Sequence, residues 1–313
     1  VNGLVPLPKC KGLLTMHAIS ISRLLRARLL EQAFTARVLA VFDHACNLVT
    51  PAGDVVALVT PQIGDGPLSV VVEAEPGSFA ALDPGMAVWT DSGHLRVGVT
   101  DQSPLLDVIL AGAEVWEPSP AWSTLRAQRA IIESRLPRLR TIALRHAPAV
   151  GQDFGVSAQS NAAISSYAKI REAAGSLRAG WQEDLTALQA GAAQLAGLGG
   201  GLTPAGDDFL VGVMLWAWLA HPDPPVICRV IAEVAAPRTT TLSAAFLRAA
   251  ARGECSAAWH RLLSALAAGT ENELVVAVQG VLVHGATSGA DTLAGFLWLN
   301  SPEVPGVSQA PGP

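Results

Sequence analysis

The chain has 313 residues, enough for one large domain or two ordinary ones and for a sizeable buried core. Half of its residues are hydrophobic and only 15% are charged, which excludes a disordered chain. The net charge of −5 leaves no basic excess to neutralise a phosphate backbone, so nucleic acid is not an expected partner.

Mean hydropathy is +0.37, which raises the question of a membrane. The most apolar run, Phe209 to Ala220, is about half of the roughly 20 residues that a bilayer span needs. It reads as a buried helix. Ser20, Ser22 and Arg23 interrupt any signal-peptide core after Lys9 and Lys11. The expectation is a cytoplasmic protein without membrane contact. Cys10, Cys46, Cys228 and Cys255 are scattered and form no C-x-x-C pair. That pattern suits free thiols in a reducing compartment better than disulfides or zinc.

In chain order, a helix is expected from Ile19 to about Phe34. From about Arg37, short β-branched runs alternate with turn residues. Val55–Val59, Leu68–Glu73, Met86–Thr90, Leu95–Val99 and Ala113–Trp116 read as strands, with turns at Pro51–Asp54, Gly64–Pro67 and Asp91–His94. After Pro118 the chain turns alanine-rich and helical. Trp122 to Leu136 reads as a helix that Pro137 breaks or kinks. Helices then follow at Leu185–Ala196, Pro204–Ala220, Ile227–Ala235, Thr241–Arg252, Cys255–Ala268, Glu271–Val283 and Ala290–Leu299. The fold class is therefore α+β. A β-rich N-terminal sheet or small barrel fills residues 1–118, an α-helical domain with a glycine-rich loop fills 119–300, and 301–313 forms a frayed tail.

The most informative stretch is Gly197-Leu-Gly-Gly-Gly-Leu-Thr-Pro-Ala-Gly-Asp-Asp208. Glycines permit close backbone approach. Thr203 suits an N-cap and Pro204 a first helical residue. The glycines therefore lead into a helix start, where free amides can hold an anion. No Gly-Lys-Ser/Thr follows, and no clear strand precedes, so neither nucleotide-loop signature fits. Asp207 and Asp208 sit in the first turn. Dipole compensation explains them, and so does a site for a donor-rich substrate or for Mg²⁺. A second segment echoes the first. Gly206-Asp-Asp-Phe-Leu-Val-Gly212 lies over Gly289-Ala-Asp-Thr-Leu-Ala-Gly295, 83 residues downstream, with Gly, Asp, Leu and Gly in common. Thr287, Ser288 and Gly289 precede Asp291 as the glycine segment precedes Asp208.

Other polar groups collect near these turns. His284 could act as an acid or base near neutral pH or could cap a turn. Arg238, Thr239 and Thr240 precede a helix. Capping accounts for one hydroxyl there, and the rest could bind an oxyanion with Arg238 as a carboxylate anchor. Asn161 could orient a carbonyl or start a helix. His44 and Cys46 are close neighbours without an oxyanion group, which rules against a thiol hydrolase.

The stretch Gly197–Asp208, with the Gly-Leu-Thr-Pro-x-Gly-Asp-Asp core at its end, resembles the AllH family. So do Arg238–Thr240 and Thr287–Asp291. The resemblance covers mainly Asn161 to Leu299, and the β-rich part more weakly. The family is associated with one subunit of the oxamate carbamoyltransferase complex of allantoin degradation, a branch of purine catabolism. The resemblance implies transfer of a carbamoyl group from oxalurate to phosphate, giving oxamate and carbamoyl phosphate. Among the residues already identified, Asp207, Asp208, Asp291 and His284 are the catalytic candidates. Gly199, Gly200, Gly201, Thr203, Asn161, Arg238, Thr239, Thr240, Thr287, Ser288 and Gly289 become candidates for holding the small anionic substrate and phosphate. Mg²⁺ on Asp207 and Asp208 is the one cofactor in view, and the other subunits of the complex are the expected partners. Two rival readings stand beside this one. The chain could be a non-catalytic scaffold that binds a small anion or a nucleotide, or a stand-alone Mg²⁺-dependent phosphoryl-transfer enzyme.

Overall fold

The computed structural model of the chain describes residues 13–100, 103–146, 173–182, 184–283, 285 and 287–300. Its first part contains β1 (Leu14–Ser22), β2 (Thr35–Val41), β3 (Ala45–Val49), β4 (Val55–Val59), β5 (Ser69–Val72), β6 (Ala87–Asp91), β7 (His94–Thr100), β8 (Ser103–Ile109) and β9 (Glu114–Trp116). The strands pair in the order β5-β4-β3-β2-β6-β7-β8-β1, and β1 pairs back onto β5. Eight strands thus close into a barrel, which removes the open edges of a flat sheet. β9 lies beside the second half of β1, with Ser20 opposite Glu114. Leu48, Leu58, Val70, Leu95, Val97 and Val108 fill the interior, and none is exposed to solvent.

All five residues of β4 are buried, because both of its faces are covered. Val56 and Leu58 belong to the barrel interior. Val55 packs outward with Leu68 against Leu242 and Ala245 of the helical part. Leu39 and Leu202 join that cluster, so the glycine-rich loop rests on the barrel wall.

Two local expectations change. Residues 19–22 are strand, and the helix is shorter, at Arg23–Leu30. Ile21 pairs with Val70 on one side and Val115 on the other, and this two-sided ladder outweighs the helical pattern. β8 had no signal in the sequence because Pro104 and Asp107 disguise it. Pro104 falls at a register shift opposite Gly98, where a missing N–H is tolerated. Asp107 takes His94 at 3.0 Å and Arg96 at 3.4 Å.

The second part is helical. Helices run over Trp122–Ala127, Arg129–His146, 173–181, Leu185–Leu195, Ala205–Ala220, Pro224–Ala235, Thr241–Ala251, Ala257–Ala268, Glu271–Leu282 and Ser288–Leu297. Pro137 does not end its helix. Ile132, Leu136, Leu139 and Ile142 keep one buried stripe running across it, and that burial outweighs one lost hydrogen bond. Cys46, Cys228 and Cys255 are buried free thiols, and burial pushes all three up, Cys46 to about 12. Cys10 and the expected tail at 301–313 lie outside the described residues. No helix among the described residues is long and apolar enough to cross a membrane.

Candidate functional site

The site begins with a spacing. Asp208 and Gly212 are four residues apart on one helix, and Asp291 and Gly295 are four apart on another. Each pair therefore shares a face. The fold lays these two faces against each other. A Cβ on Gly212 would stand 1.9 Å from the Thr292 carbonyl oxygen, and one on Gly295 would stand 1.9 Å from that of Phe209. Phe209 and Thr292 are 83 residues apart, as are Gly212 and Gly295, so the contact is reciprocal. The helix starts repeat the device. A Cβ on Gly206 would meet the Leu195 carbonyl at 2.1 Å, and one on Gly289 would meet that of Val281 at 2.0 Å. The sequence echo is thus a repeated unit of helix, turn and helix, packed face to face. Both starts lie at the same end, with the hydroxyls of Thr203 and Ser288 2.9 Å apart.

Three carboxylates sit beneath this end. Asp207, Asp208 and Asp291 are 0%, 7% and 3% exposed. Neighbours on a helix diverge by about 100°, and Asp207 and Asp208 accordingly meet different partners. Asp207 faces the glycine loop. It accepts from the Gly197 N–H at 3.0 Å and from the Thr239 hydroxyl. Asp208 faces the seam with Asp291. The Oδ2 atoms of Asp208 and Asp291 are buried and have no hydrogen-bond partner. Burial pushes Asp208 up to about 8. The Ser288 hydroxyl opposes that shift, while Asp291 and Asp207 add to it. Burial likewise raises Asp291 to about 6, against a hydrogen bond from Thr287. No three His, Cys, Asp or Glu side chains gather to hold a metal ion among the described residues. With both Asp207 oxygens engaged, Mg²⁺ on Asp207 and Asp208 gains no support from this geometry.

The surrounding candidates divide into builders and exposed groups. Thr240 caps the Thr241–Ala251 helix through the Ser243 N–H at 3.1 Å and donates to the Leu202 carbonyl at 2.5 Å. Thr239 and Thr240 therefore tie a helix start to the glycine loop. Arg238 is exposed, and its guanidinium donates to the Val234 carbonyl one turn earlier. Pro204, not Thr203, holds the N-cap position of the Ala205–Ala220 helix, which frees the Thr203 hydroxyl for Ser288. The amides of Gly206, Asp207 and Asp208 already serve the carbonyls of Leu198 and Pro204. The expectation of open amides thus moves out to the loop. Gly199, Gly200 and Gly201 are exposed, and among the described residues their amides have no backbone partner. Thr287 holds the N-cap position of the Ser288–Leu297 helix, and Gly289 makes the close approach to Val281. His284 and Asn161 lie outside the described residues.

Gly212 and Gly295 were not singled out from sequence as the crossing point. The signal was present, a glycine one turn after an aspartate in both halves of the echo. Leu202 was likewise missed as the link to the barrel, because a lone leucine in a glycine run shows nothing of its partner.

A family model described as oxamate carbamoyltransferase subunit AllH matches residues 195–299. A second, the AllH family N-terminal domain, matches residues 17–114. The first match contains both helix starts, and the second spans most of the barrel. No solved structure gives a significant match to the chain.

Proposed function

This chain belongs to the AllH family, and we propose that it serves in an oxamate carbamoyltransferase complex as the subunit that holds the carbamoylated substrate for transfer to phosphate. The observation that carries this reading is the joining of the two helix starts around the unpartnered oxygens of Asp208 and Asp291. Oxalurate has a ureido group rich in N–H donors, and buried acceptors without partners suit such a group. The exposed amides at Gly199–Gly201 suit phosphate oxygens, since successive backbone N–H groups in a glycine turn make an anion-binding concavity.

The proposed reaction balances without an added cofactor. A phosphate oxygen attacks the carbamoyl carbon, and the bond to the ureido nitrogen breaks. Hydrogen phosphate gives up its proton, and the departing oxamate nitrogen gains one. Carbamoyl phosphate and oxamate result. A carboxyl group beside the departing nitrogen can pass that proton, and holding both reactants in line lowers the barrier further. Asp207, with both oxygens engaged, has a positioning role in this scheme, and Asp208 and Asp291 are the residues set to touch substrate. Thr203, Thr287 and Ser288 would orient it from the rim.

The test is phosphate-dependent cleavage of oxalurate by the reconstituted complex, by this chain alone, and by the complex lacking it. Activity that needs this chain and falls at least a hundredfold in Asp208→Asn supports the reading. Full activity without the chain contradicts it. The burial of both carboxylates favours a second reading, in which the chain is a non-catalytic small-anion or nucleotide-binding scaffold. Loss of complex assembly upon omission, with Asp208→Asn fully active, would select that one.

A further inference from the structure

The seam between the two helices poses a problem of charge. Asp208 and Asp291 are each the fourth residue of their helix and stand one turn before the glycine crossing. Both are more than nine-tenths buried, and each has an oxygen without a partner. Among the described residues, the charged groups bearing on Asp208 are Asp291 and Asp207, both negative. Among the described residues, the Ser288 hydroxyl bonds to Asp208 and the Thr287 hydroxyl to Asp291, with the Thr203 hydroxyl behind Ser288. Two convergent helix N-termini supply partial positive charge. Each carries about half an elementary charge, spread over several amides. That does not balance two buried carboxylates beside a third.

We propose that Asp208 and Asp291 hold one proton between them at neutral pH and so read a primary amide group by one donor and one acceptor. Like charges buried beside one another resist double ionisation, so one proton between them is the favoured state at neutral pH. The singly protonated pair offers an O–H to an amide oxygen and a carboxylate to an amide N–H. A carbamoyl or oxamate amide presents the complement. A second carboxylate, as in oxalate, presents only acceptors and meets repulsion. The inference rests on the reading of the site as one for a carbamoylated carboxylate, and it adds the group that confers selectivity. Ser288 is a positioning residue here. Its hydroxyl holds Asp208 on one side and Thr203 on the other, so the donor direction is set by a chain of hydroxyls that crosses the seam.

The experiment uses the full chain in two steps. Infrared spectra of the ligand-free protein at pH 7 should contain a protonated-carboxyl stretch that disappears in Asp208→Asn. Oxamate and oxalate are then titrated calorimetrically. Wild type should prefer oxamate at least tenfold. Asp208→Asn, whose amide also donates, should keep most of that preference, and Asp291→Asn should lose it. Absence of the carboxyl band at pH 7 overturns the shared proton, whatever the complex catalyses. A band without preference between oxamate and oxalate overturns the amide reading. If band and preference are both present but oxalurate is not cleaved, the shared proton stands and the carbamoyl-transfer reading falls. Circular dichroism of both variants shows whether the fold is retained. Should either variant not fold, Ser288→Ala supplies the same reading, with a weakened preference expected and an unchanged one contradicting it.

Discussion

Asp207 and Asp208 are adjacent in the chain and opposite in consequence. Both oxygens of Asp207 are engaged by groups that hold the glycine loop, so its loss leaves a half-buried amide and a hydroxyl unpaired. Asp207→Ala should destabilise the chain by about 2–4 kcal/mol, read from urea unfolding. Asp208 acts in the other direction. Its folded value of about 8 lies above the ordinary 3.8, so the folded state binds the extra proton between these limits. Stability from this group is therefore present at low pH and is lost as pH rises through about 8. The steepest slope is about 1.4 kcal/mol per pH unit. Wild type should thus melt several degrees lower at pH 9 than at pH 6, and Asp208→Asn should flatten that difference. Equal slopes in both proteins would remove Asp208 from the account. The sequence marked both residues but could not separate them. Their roles follow from a rotation of one residue about a helix axis, and only the packing of that helix shows which side meets the loop.

At the scale of elements, the glycine seam makes a sharp contrast available. Gly212→Ala would force its new carbon against the Thr292 carbonyl, a backbone atom that cannot step aside. The expected loss is about 3 kcal/mol or more, despite the helical preference for alanine. Gly280 lies inside the Glu271–Leu282 helix, and among the described residues a Cβ there meets nothing within 4 Å. Gly280→Ala should instead stabilise by roughly 0.5–1 kcal/mol. Thermal unfolding of the two variants checks both signs, and equal effects would contradict the reciprocal crossing. Helices with strong end signals were legible in the sequence. The Glu271–Leu282 helix starts at Thr270 with a full capping box, and the Leu185–Leu195 helix ends just before Gly197. β1 and β8 were not. Their pairing is parallel and joins residues about ninety positions apart, as Met16 with Val108, and no local pattern records such a partner.

For the whole molecule, the question is how the barrel bears on the site. Leu202 leaves the glycine loop to pack with Leu68, Leu242 and Leu39, so the barrel wall supports the loop from below. Leu202→Ala should cost about 2 kcal/mol and, on the proposed division of the substrate, weaken phosphate binding more than oxamate binding, because the Gly199–Gly201 turn adjoins it in the chain. Titration with each anion measures that split, and equal losses would show that the loop and the carboxylates do not divide the substrate. The alternation of β-branched runs and turns made a sheet or small barrel legible, and the echo 83 residues apart made a second helix start legible. What joined them was not, because Val55 and Leu242 are apolar residues in unrelated elements whose meeting depends on the closed barrel. The claim at the centre is that the two helix starts form one binding site. Hydrogen exchange with and without oxalurate and phosphate tests it most directly. The account predicts that amides at 197–206 and 285–291 become protected together upon addition, and less so in Asp291→Asn. Protection confined to one turn, or found only elsewhere in the chain, would contradict it.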